Sequence, residues 1–577
     1  MRRPRRLCLL AGLACALWAQ HDDPILRPLR DEVHRSRSIR LEKLEPPYFI
    51  EVAAEDAETF GVAATLGALV RTTKGRFRAP RVQVRVGDYT FDNTNYVGSG
   101  SNFGVGFDAD RLPLDNAYPV LRRYLWLAAD RSYKSALEAI ARKSAALKSL
   151  SVAERLPDFA RAEPVQFLEE VRPAPFHELT WTALARSASA VFARYPVVRT
   201  SGVELEAIRN VHYLVNTEGT EIRYPERLVF VRIRARGQAP DGMMLRDAQV
   251  FHAKEFDQLA GEVELARAAS AVAENLAALA TAPMGELYSG PVLFEREAAP
   301  QWFAQVLGKN LVLLRRPVME PGRPSGFPTN ELEGRLGSRI LPEWIDVVDD
   351  PTQTEWRGRT LLGHYKVDME GVAPKPLVLV EKGVLKSFLL TRQPQRGFEA
   401  SNGHARMPGA YGANQAGFGN LFVRATQTVT FTELRKRLVD AIRARGKPYG
   451  LLIRRLDYPS SATFDELRRQ FGTGQGSGRL VSPPILAYKL YADGREELVR
   501  GLRFRGLNTR ALKDIVAASD ESHLFEFLDT PAPLALMGAG GYIAEASVVA
   551  PSILVDDLEL EKIEEEFPKL PIVPPPS

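Results

Sequence analysis

The chain has 577 residues, of which 45% are hydrophobic and 25% are charged, and these ordinary globular values exclude a mostly disordered protein. Its length predicts at least two domains, because a single core rarely grows beyond about 250–300 residues. The net charge of +5 reflects 76 basic and 71 acidic side chains, but four arginines lie in the first six residues, so the rest of the chain is nearly neutral and offers no bulk attraction for nucleic acid.

The N-terminus has the pattern of a secretory signal peptide. Four arginines precede an apolar run from Leu7 to Trp18, and small residues follow up to Ala19. The run is too short for a spanning helix, which needs about 20 apolar residues. The sequence therefore predicts a signal peptide over residues 1–20, export to the periplasm or the medium, and no stable insertion in a membrane. Lipidation of Cys15 is the alternative.

Cysteine occurs only at Cys8 and Cys15, and both positions fall within the predicted signal peptide. The exported chain would therefore have no disulfide, no thiolate nucleophile and no cysteine metal ligand.

Residues 21–282 alternate between strand and helix patterns. Strands are predicted at 48–52 and 82–86 and near residues 204, 213 and 228, and helices are predicted over 117–147, 178–192 and 256–279. A segment with four prolines, residues 149–175, is predicted to connect the first two helices. Because Pro283 ends the third helix, we place the end of an N-terminal domain at about residue 282.

Residues 283–560 are richer in hairpin signals. Two predicted hairpins join runs 376–380 with 384–390 and 485–491 with 497–504, the second through the tight-turn pair Asp493-Gly494. Capping boxes beginning at Thr430 and Thr463 predict two short helices. An acidic and proline-rich tail follows over residues 561–577. The fold class predicted is α+β, with a mixed α/β N-terminal domain and a β-rich C-terminal domain.

No local motif indicates a catalytic or metal site. His177-Glu178 lacks the second histidine that a zincin helix carries four residues after the first, so we interpret the pair as a helix start. The glycine-rich run 472–478 follows a helix and lacks the Lys-Ser/Thr of a phosphate loop, which favours a surface loop. The eight histidines are scattered, and no two of them share a local ligand spacing.

Several segments nevertheless resemble one known family. They are Asn-Thr-Glu-Gly-Thr at 216–220, Tyr-Ser-Gly-Pro-Val at 288–292, and the runs at 347–351, 367–371, 379–385, 402–406, 419–421 and 500–501. In this order and spacing they resemble the TldD/PmbA metallopeptidase family (PmbA is also called TldE) over most of residues 200–560.

The resemblance also indicates what this chain has lost. Catalytic members hold zinc with His-Glu-x-x-x-His on a helix after the Gly-Pro segment and with a cysteine near the C-terminus. The corresponding positions here are Ala304, Gln305 and Lys309, and the cysteine position falls near Met537. A methyl group, a neutral amide and an ammonium supply neither a zinc ligand set nor a general base. We therefore expect no catalytic residue of the family type and no zinc cofactor.

The family resemblance implies dimers, in which a catalytic TldD-type chain can pair with a metal-free TldE-type chain around a peptide channel. We expect a TldE-like chain that forms a homodimer or pairs with a related chain, and that binds unfolded peptide or completes the chamber of its partner. Two alternatives stay open. One is a divergent metal-dependent peptidase that uses His364, His404, Asp368 or Glu370, and the other is a structural envelope protein.

Overall fold

The computed structural model describes residues 23–40, 44–98, 111–149, 156–320, 330–408, 413–458, 481–529 and 544–564. Helix makes up 24% and strand 41% of the protein, and this confirms the predicted α+β class. None of the described helices combines the length and the apolar character needed to cross a membrane.

The helices and the strands are each numbered in chain order. The helices are α1 (Leu26–Ser36), α2 (Tyr118–Ser149), α3 (Glu178–Ala190), α4 (Glu262–Thr281), α5 (Ala298–Val306) and α6 (Phe431–Ala444). The strands of the N-terminal half are β1 (Pro47–Thr65), β2 (Ala68–Val86), β3 (Tyr96–Val97), β4 (Gln166–Leu168), β5 (Thr200–Asn216), β6 (Glu221–Gln238) and β7 (Met244–Ala253). The strands of the C-terminal half are β8 (Tyr288–Phe294), β9 (Val318–Met319), β10 (Ile345–Asp349), β11 (Glu355–Trp356), β12 (Arg359–Thr360), β13 (Leu377–Glu381), β14 (Val384–Leu385), β15 (Ala405–Pro408), β16 (Asn414–Ala416), β17 (Asn420–Ala425), β18 (Tyr449–Leu456), β19 (Pro484–Tyr491), β20 (Glu496–Val499), β21 (Leu502–Phe504), β22 (Ile515–Asp529) and β23 (Ala544–Lys562).

A six-stranded sheet organises the N-terminal half, with the order β2-β1-β5-β6-β4 and with β7 paired to β6. Alternate side chains of a strand point to opposite faces, so the alternating apolar residues of β1 and β5 collect on one face. There Phe60, Val62 and Val203 pack in one core cluster with helices α3 and α4. Strand β7 pairs only with β6 among the described strands, so its outer edge is unpaired.

An eleven-stranded sheet organises the C-terminal half. Its order is β14-β13-β10-β17-β23-β8-β18-β19-β20, and β21 and β22 also pair with β23. Helix α5 packs against β23, β18 and β22, while α6 packs mainly against β8 and β22. The largest core cluster of the protein surrounds α5 and includes the fully buried side chains of Trp302 and Phe303.

Most predicted elements are confirmed, with small changes in their limits. The long helix runs from Tyr118 to Ser149, and the helix after His177 begins at Glu178 as predicted. The predicted Thr430 cap is confirmed, because its side-chain oxygen accepts the backbone N–H of Glu433 at 3.3 Å. The second capping box, the glycine-rich run 472–478 and most of the predicted tail lie outside the described residues.

Three expectations were wrong in detail. The strands predicted near Glu204 and Tyr213 are a single long strand, β5. The last part of the predicted 485–504 hairpin leaves it, because Leu502–Phe504 pairs with β23 instead of β19. Phe256 lies in a separate short 3-10 turn before α4, which begins only at Glu262. The domain boundary at about residue 282 stays a prediction.

Candidate functional site

Helix α5 carries Ala304 and Gln305, two of the three positions that the resemblance assigns to the zinc motif, and it lies inside the C-terminal core. Every residue of α5 except Gln305 is buried, and the side chain of Ala304 is completely buried. A helix that is apolar on nearly all sides is typical of a core element. Ala304 therefore contributes packing in this position and offers no donor atom.

Gln305 is held by two hydrogen bonds. Its amide nitrogen Nε2 donates to the carbonyl of Gln301 at 3.1 Å, and its Oε1 accepts the backbone N–H of Ser482 at 2.8 Å. The side chain thereby ties α5 to the residues just before β19. A neutral amide does not take up a proton from water, so Gln305 cannot act as a general base.

Lys309 follows α5 in a short 3-10 turn and forms an ion pair with the last residue of β22. Its ammonium donates to Asp529, with Nζ 2.6 Å from Oδ1, and it also bonds Oδ2. The two side chains are 28% and 16% exposed, so the pair is largely shielded from solvent. The turn is fixed by Gly308, where an added Cβ would lie only 2.5 Å from the ring of Phe418.

This donor set does not fit a zinc ion. The positions that the resemblance assigns to the two histidines and the glutamate hold a methyl group, a cation and an amide, whereas zinc needs about three nitrogen, oxygen or thiolate ligands. Met537 lies outside the described residues. Within the described ranges, no group of three His, Cys, Asp or Glu side chains is placed so that it could hold a metal ion.

The acidic residues named for the divergent peptidase stabilise loops. Asp368 accepts the backbone N–H groups of Glu370 and Val372, both at 2.9 Å, and of Ala405 at 3.0 Å. Burial, together with the charge of Glu370, raises the pKa of Asp368 to about 7. Glu370 accepts the backbone N–H of Arg392 at 2.6 Å and the amide of Asn414 at 3.0 Å.

The two histidines named for the same alternative are also engaged. His404 is completely buried, with Nε2 2.9 Å from Asp349 Oδ2 and Nδ1 2.9 Å from the carbonyl of Asn402. The Nδ1 of His364 lies 2.8 Å from the carbonyl of Pro351, and burial lowers the pKa of that imidazole. In the part of the chain that the structure describes, these four side chains do not converge on one metal position.

A cavity of about 620 Å³ lies between the two halves of the chain. One wall is the stretch 248–254, which is the end of β7 and the residue after it, and the other walls include Gln301 of α5 and residues 524–526 of β22. The cavity thus reaches helix α5. Sequence reasoning missed this cavity, because its walls come from segments far apart in the chain and no local pattern connects them.

Several polar groups of the cavity have shifted pKa values. Burial, with a contribution from Arg232, lowers the pKa of His252 to about 3, and the buried Nε2 of this ring has no hydrogen-bond partner among the described residues. Burial raises the pKa of Glu526 despite the nearby Arg359, whose guanidinium lies 3.2 Å from its carboxylate. The cavity therefore has a neutral imidazole and a shielded carboxyl group in its lining.

Comparison with known proteins shows which family the chain resembles. Residues 290–458 match the model of the PmbA/TldA metallopeptidase C-terminal domain. Over these residues the chain is similar to the C-terminal domain of the TldD/PmbA family. A protein of Archaeoglobus fulgidus named metalloprotease is 38% identical over 78 residues, which are 14% of this chain and 17% of that protein. A metalloprotease of Methanothermobacter thermautotrophicus is 43% identical over 77 residues, 13% of this chain and 15% of its own length. The chain thus matches only about a sixth of the length of these relatives.

Solved structures of TldD/PmbA type share the fold over nearly the whole chain. TldE from Thermococcus kodakarensis aligns with a TM-score of 0.56 over 92% of this chain and 99% of its own, at 13% identity. A Thermotoga maritima protein described as a candidate modulator of a DNA gyrase aligns with a TM-score of 0.55 over 89% of this chain and 96% of its own, at 15% identity. At such identities the likeness shows the fold alone.

Proposed function

We propose that this TldD/PmbA-family protein is a TldE-like, catalytically inactive chain that binds unfolded peptide. One observation carries the proposal of inactivity. The Lys309 ammonium, at the position of a zinc-binding histidine, is bound to Asp529 next to a helix whose other two motif positions hold a methyl group and an engaged amide. Zinc-dependent hydrolysis needs ligands and an open water position, and this arrangement supports neither.

The proposed peptide site is the cavity beside β7. The unpaired edge of a strand presents N–H and C=O groups that an extended peptide can match by pairing as an additional strand. Residues 248–254 run along the cavity wall at such an edge. Recognition through the backbone favours unfolded peptide over a folded protein, since only an extended chain exposes these groups.

A cavity-filling variant tests the peptide site. Ala248 is half-buried and lines the cavity, so Ala248→Trp should narrow it and weaken the binding of a fluorescein-labelled unfolded peptide by about tenfold or more. Fluorescence anisotropy gives the affinity. Ala277→Trp is the matched control, because Ala277 is exposed on α4 outside the cavity. Equal affinity of the Ala248→Trp variant and the wild type would exclude this cavity, and a wild type that binds no peptide would refute the proposed function.

Export and association complete the proposal. The arginine-rich and apolar N-terminus supports export to the periplasm, and the family supports a homodimer or a pair with a related TldD-type chain. The mass of the chain recovered from the envelope fraction tests removal of residues 1–20. Light scattering of the same material tests association, and a monomer without a partner would contradict it.

A hydrolase that works without a metal is the second candidate. The observation in its favour is that the neutral His252 and the carboxyl group of Glu526, whose pKa is raised, line the same cavity. A carboxyl group with a raised pKa can serve as a general acid or base, whereas His252, with a pKa of about 3, stays unprotonated and can only accept a hydrogen bond. Peptide hydrolysis that a chelator does not inhibit, and that Glu526→Gln abolishes, would favour this candidate over the inactive chain.

A further inference from the structure

A second cleft, on the C-terminal half, is distinguished by its positive charge. It has a volume of about 460 Å³ and lies between the segment 331–340 and the segment 508–513. Leu332 and Ile340, both nearly completely buried, form its floor. The cations in its lining are Arg335, Arg339, Arg510 and Lys513. No lining residue is shared with the cavity beside β7.

Three of these cations form no ion pair with a described carboxylate. Arg335, Arg510 and Lys513 are exposed, and no carboxylate in the described ranges lies within ion-pair distance of them. Elsewhere on the same half, by contrast, Arg435 and Arg454 are both bound by Glu295 and Glu496. These three cations therefore give the cleft positive charge that no ion pair with a described carboxylate offsets.

The acidic groups near the cleft are already engaged. Glu331, the one carboxylate in the lining, accepts the backbone N–H of Thr509 at 2.7 Å. Arg339 has an exposed partner, Glu343, at 3.3 Å. Burial, Asp556 and Asp557 raise the pKa of Asp514, and the charge of the neighbouring Lys513 lowers it. The Lys513 edge of the cleft is consequently less positive than the side formed by the arginines.

We propose that this cleft binds a small anion that carries phosphate groups, through Arg335 and Arg510 in particular. Guanidinium groups donate two parallel hydrogen bonds to phosphate oxygens, and such charge-assisted bonds are about twice as strong as neutral ones. A cleft of this volume accommodates a small ligand, and its short apolar floor suits a compact polar group rather than a long apolar one. The phosphate comes either from a free anion such as pyrophosphate or from a phospholipid headgroup.

Calorimetric titration of the full chain with pyrophosphate tests the site. The wild type should bind with a saturable heat, and the double variant Arg335→Gln/Arg510→Gln should bind at least about tenfold more weakly. The matched control is Arg172→Gln/Arg505→Gln, because both arginines are exposed, lie outside the cleft and have acidic neighbours. An unchanged melting temperature of each double variant shows that charge, not folding, causes the difference.

Vesicle flotation distinguishes the two sources of phosphate. Binding to vesicles of phosphatidylglycerol and phosphatidylcholine, but not of phosphatidylcholine alone, supports a headgroup ligand if the cleft variant loses it and the control keeps it. Pyrophosphate binding without vesicle binding supports a free anion. The proposal is overturned if the wild type binds neither probe, or if the cleft variant binds as the control does.

Discussion

At the residue scale, two titratable side chains have interactions that composition alone does not suggest. Lys309 bonds Asp529, although 220 positions separate the two residues. His212 of β5 lies between two carboxylates, with Nδ1 2.6 Å from Glu55 Oε2 and Nε2 3.0 Å from Glu226 Oε2. The sequence resemblance predicted that Lys309 stands at the position of a zinc-binding histidine. It could not identify Asp529, because that contact depends on how α5 packs against β22.

Removing the Lys309 ammonium should destabilise the fold. In Lys309→Met the Asp529 carboxylate keeps its shielded position without its partner, and we expect a loss of about 1–3 kcal/mol in the free energy of unfolding. Urea unfolding measures this loss. Lys134→Met is the control, because its pair with Asp130 is solvent-exposed and should contribute less than about 1 kcal/mol. Equal losses in both variants would show that the Lys309 pair has no special role.

The environment of His212 leads us to expect that the stability of the fold depends on pH. Burial lowers its pKa, but the carboxylates of Glu55 and Glu226 outweigh this effect and raise the pKa to about 10. A histidine in the unfolded chain has a pKa of about 6.5, so the folded state holds a proton that the unfolded state releases above that value. The stabilisation is complete below about pH 6.5 and is lost as the pH rises toward 10.

Urea unfolding of the wild type and of His212→Gln at pH 6, 8 and 10 checks this dependence. The difference in unfolding free energy between them should shrink by about 2 kcal/mol or more over this range, because the variant has no imidazole to titrate. The comparison cancels the titration of groups that the two proteins share. A difference that is constant with pH would contradict the raised pKa of His212.

At the element scale, the burial of α5 adds to what the sequence predicted for Ala304 and Gln305. The sequence predicted the loss of ligands, and the structure adds that the Ala304 methyl group is completely enclosed by the core. Ala304 is buried because strands of the C-terminal sheet surround it. A local sequence pattern does not predict which strands will pack around a helix. Strand β7 itself was missed, because the sequence analysis placed no strand between residue 228 and the helix predicted from residue 256.

Restoring the histidine at this position should therefore harm the fold. Ala304→His places a larger, polar imidazole in a filled core, and we expect a loss of about 2–4 kcal/mol in unfolding free energy. Ala277→His, on the exposed side of α4, should cost less than about 1 kcal/mol through helix propensity alone. If Ala304→His were as stable as the control, the core around α5 would have room for a ligand, and restoring Gln305→Glu, Lys309→His and Met537→Cys as well would become a realistic route to a metal site.

At the scale of the whole molecule, the α+β fold and the similarity to the TldD/PmbA family could be predicted because each has a signature in the order of the sequence. Strand alternation, helix caps and the order of the segments from 216 to 501 can all be recognised from the amino-acid sequence alone. The pairing order of the eleven-stranded sheet cannot be recognised in this way, since β23 lies beside β8, β17, β21 and β22, which come from distant parts of the chain. The cavity beside β7 and the basic cleft depend on such pairings, so they required the three-dimensional structure.

The zinc content of the purified full chain tests the central claim most directly. If Ala304, Gln305 and Lys309 provide no metal site, elemental analysis after dialysis against zinc-free buffer should find well below one zinc per chain. A chelator should leave the melting temperature unchanged, because no metal-binding free energy would support the fold. About one zinc per chain, together with peptide hydrolysis that the chelator abolishes, would contradict the account and would show that a metal site exists elsewhere in the molecule.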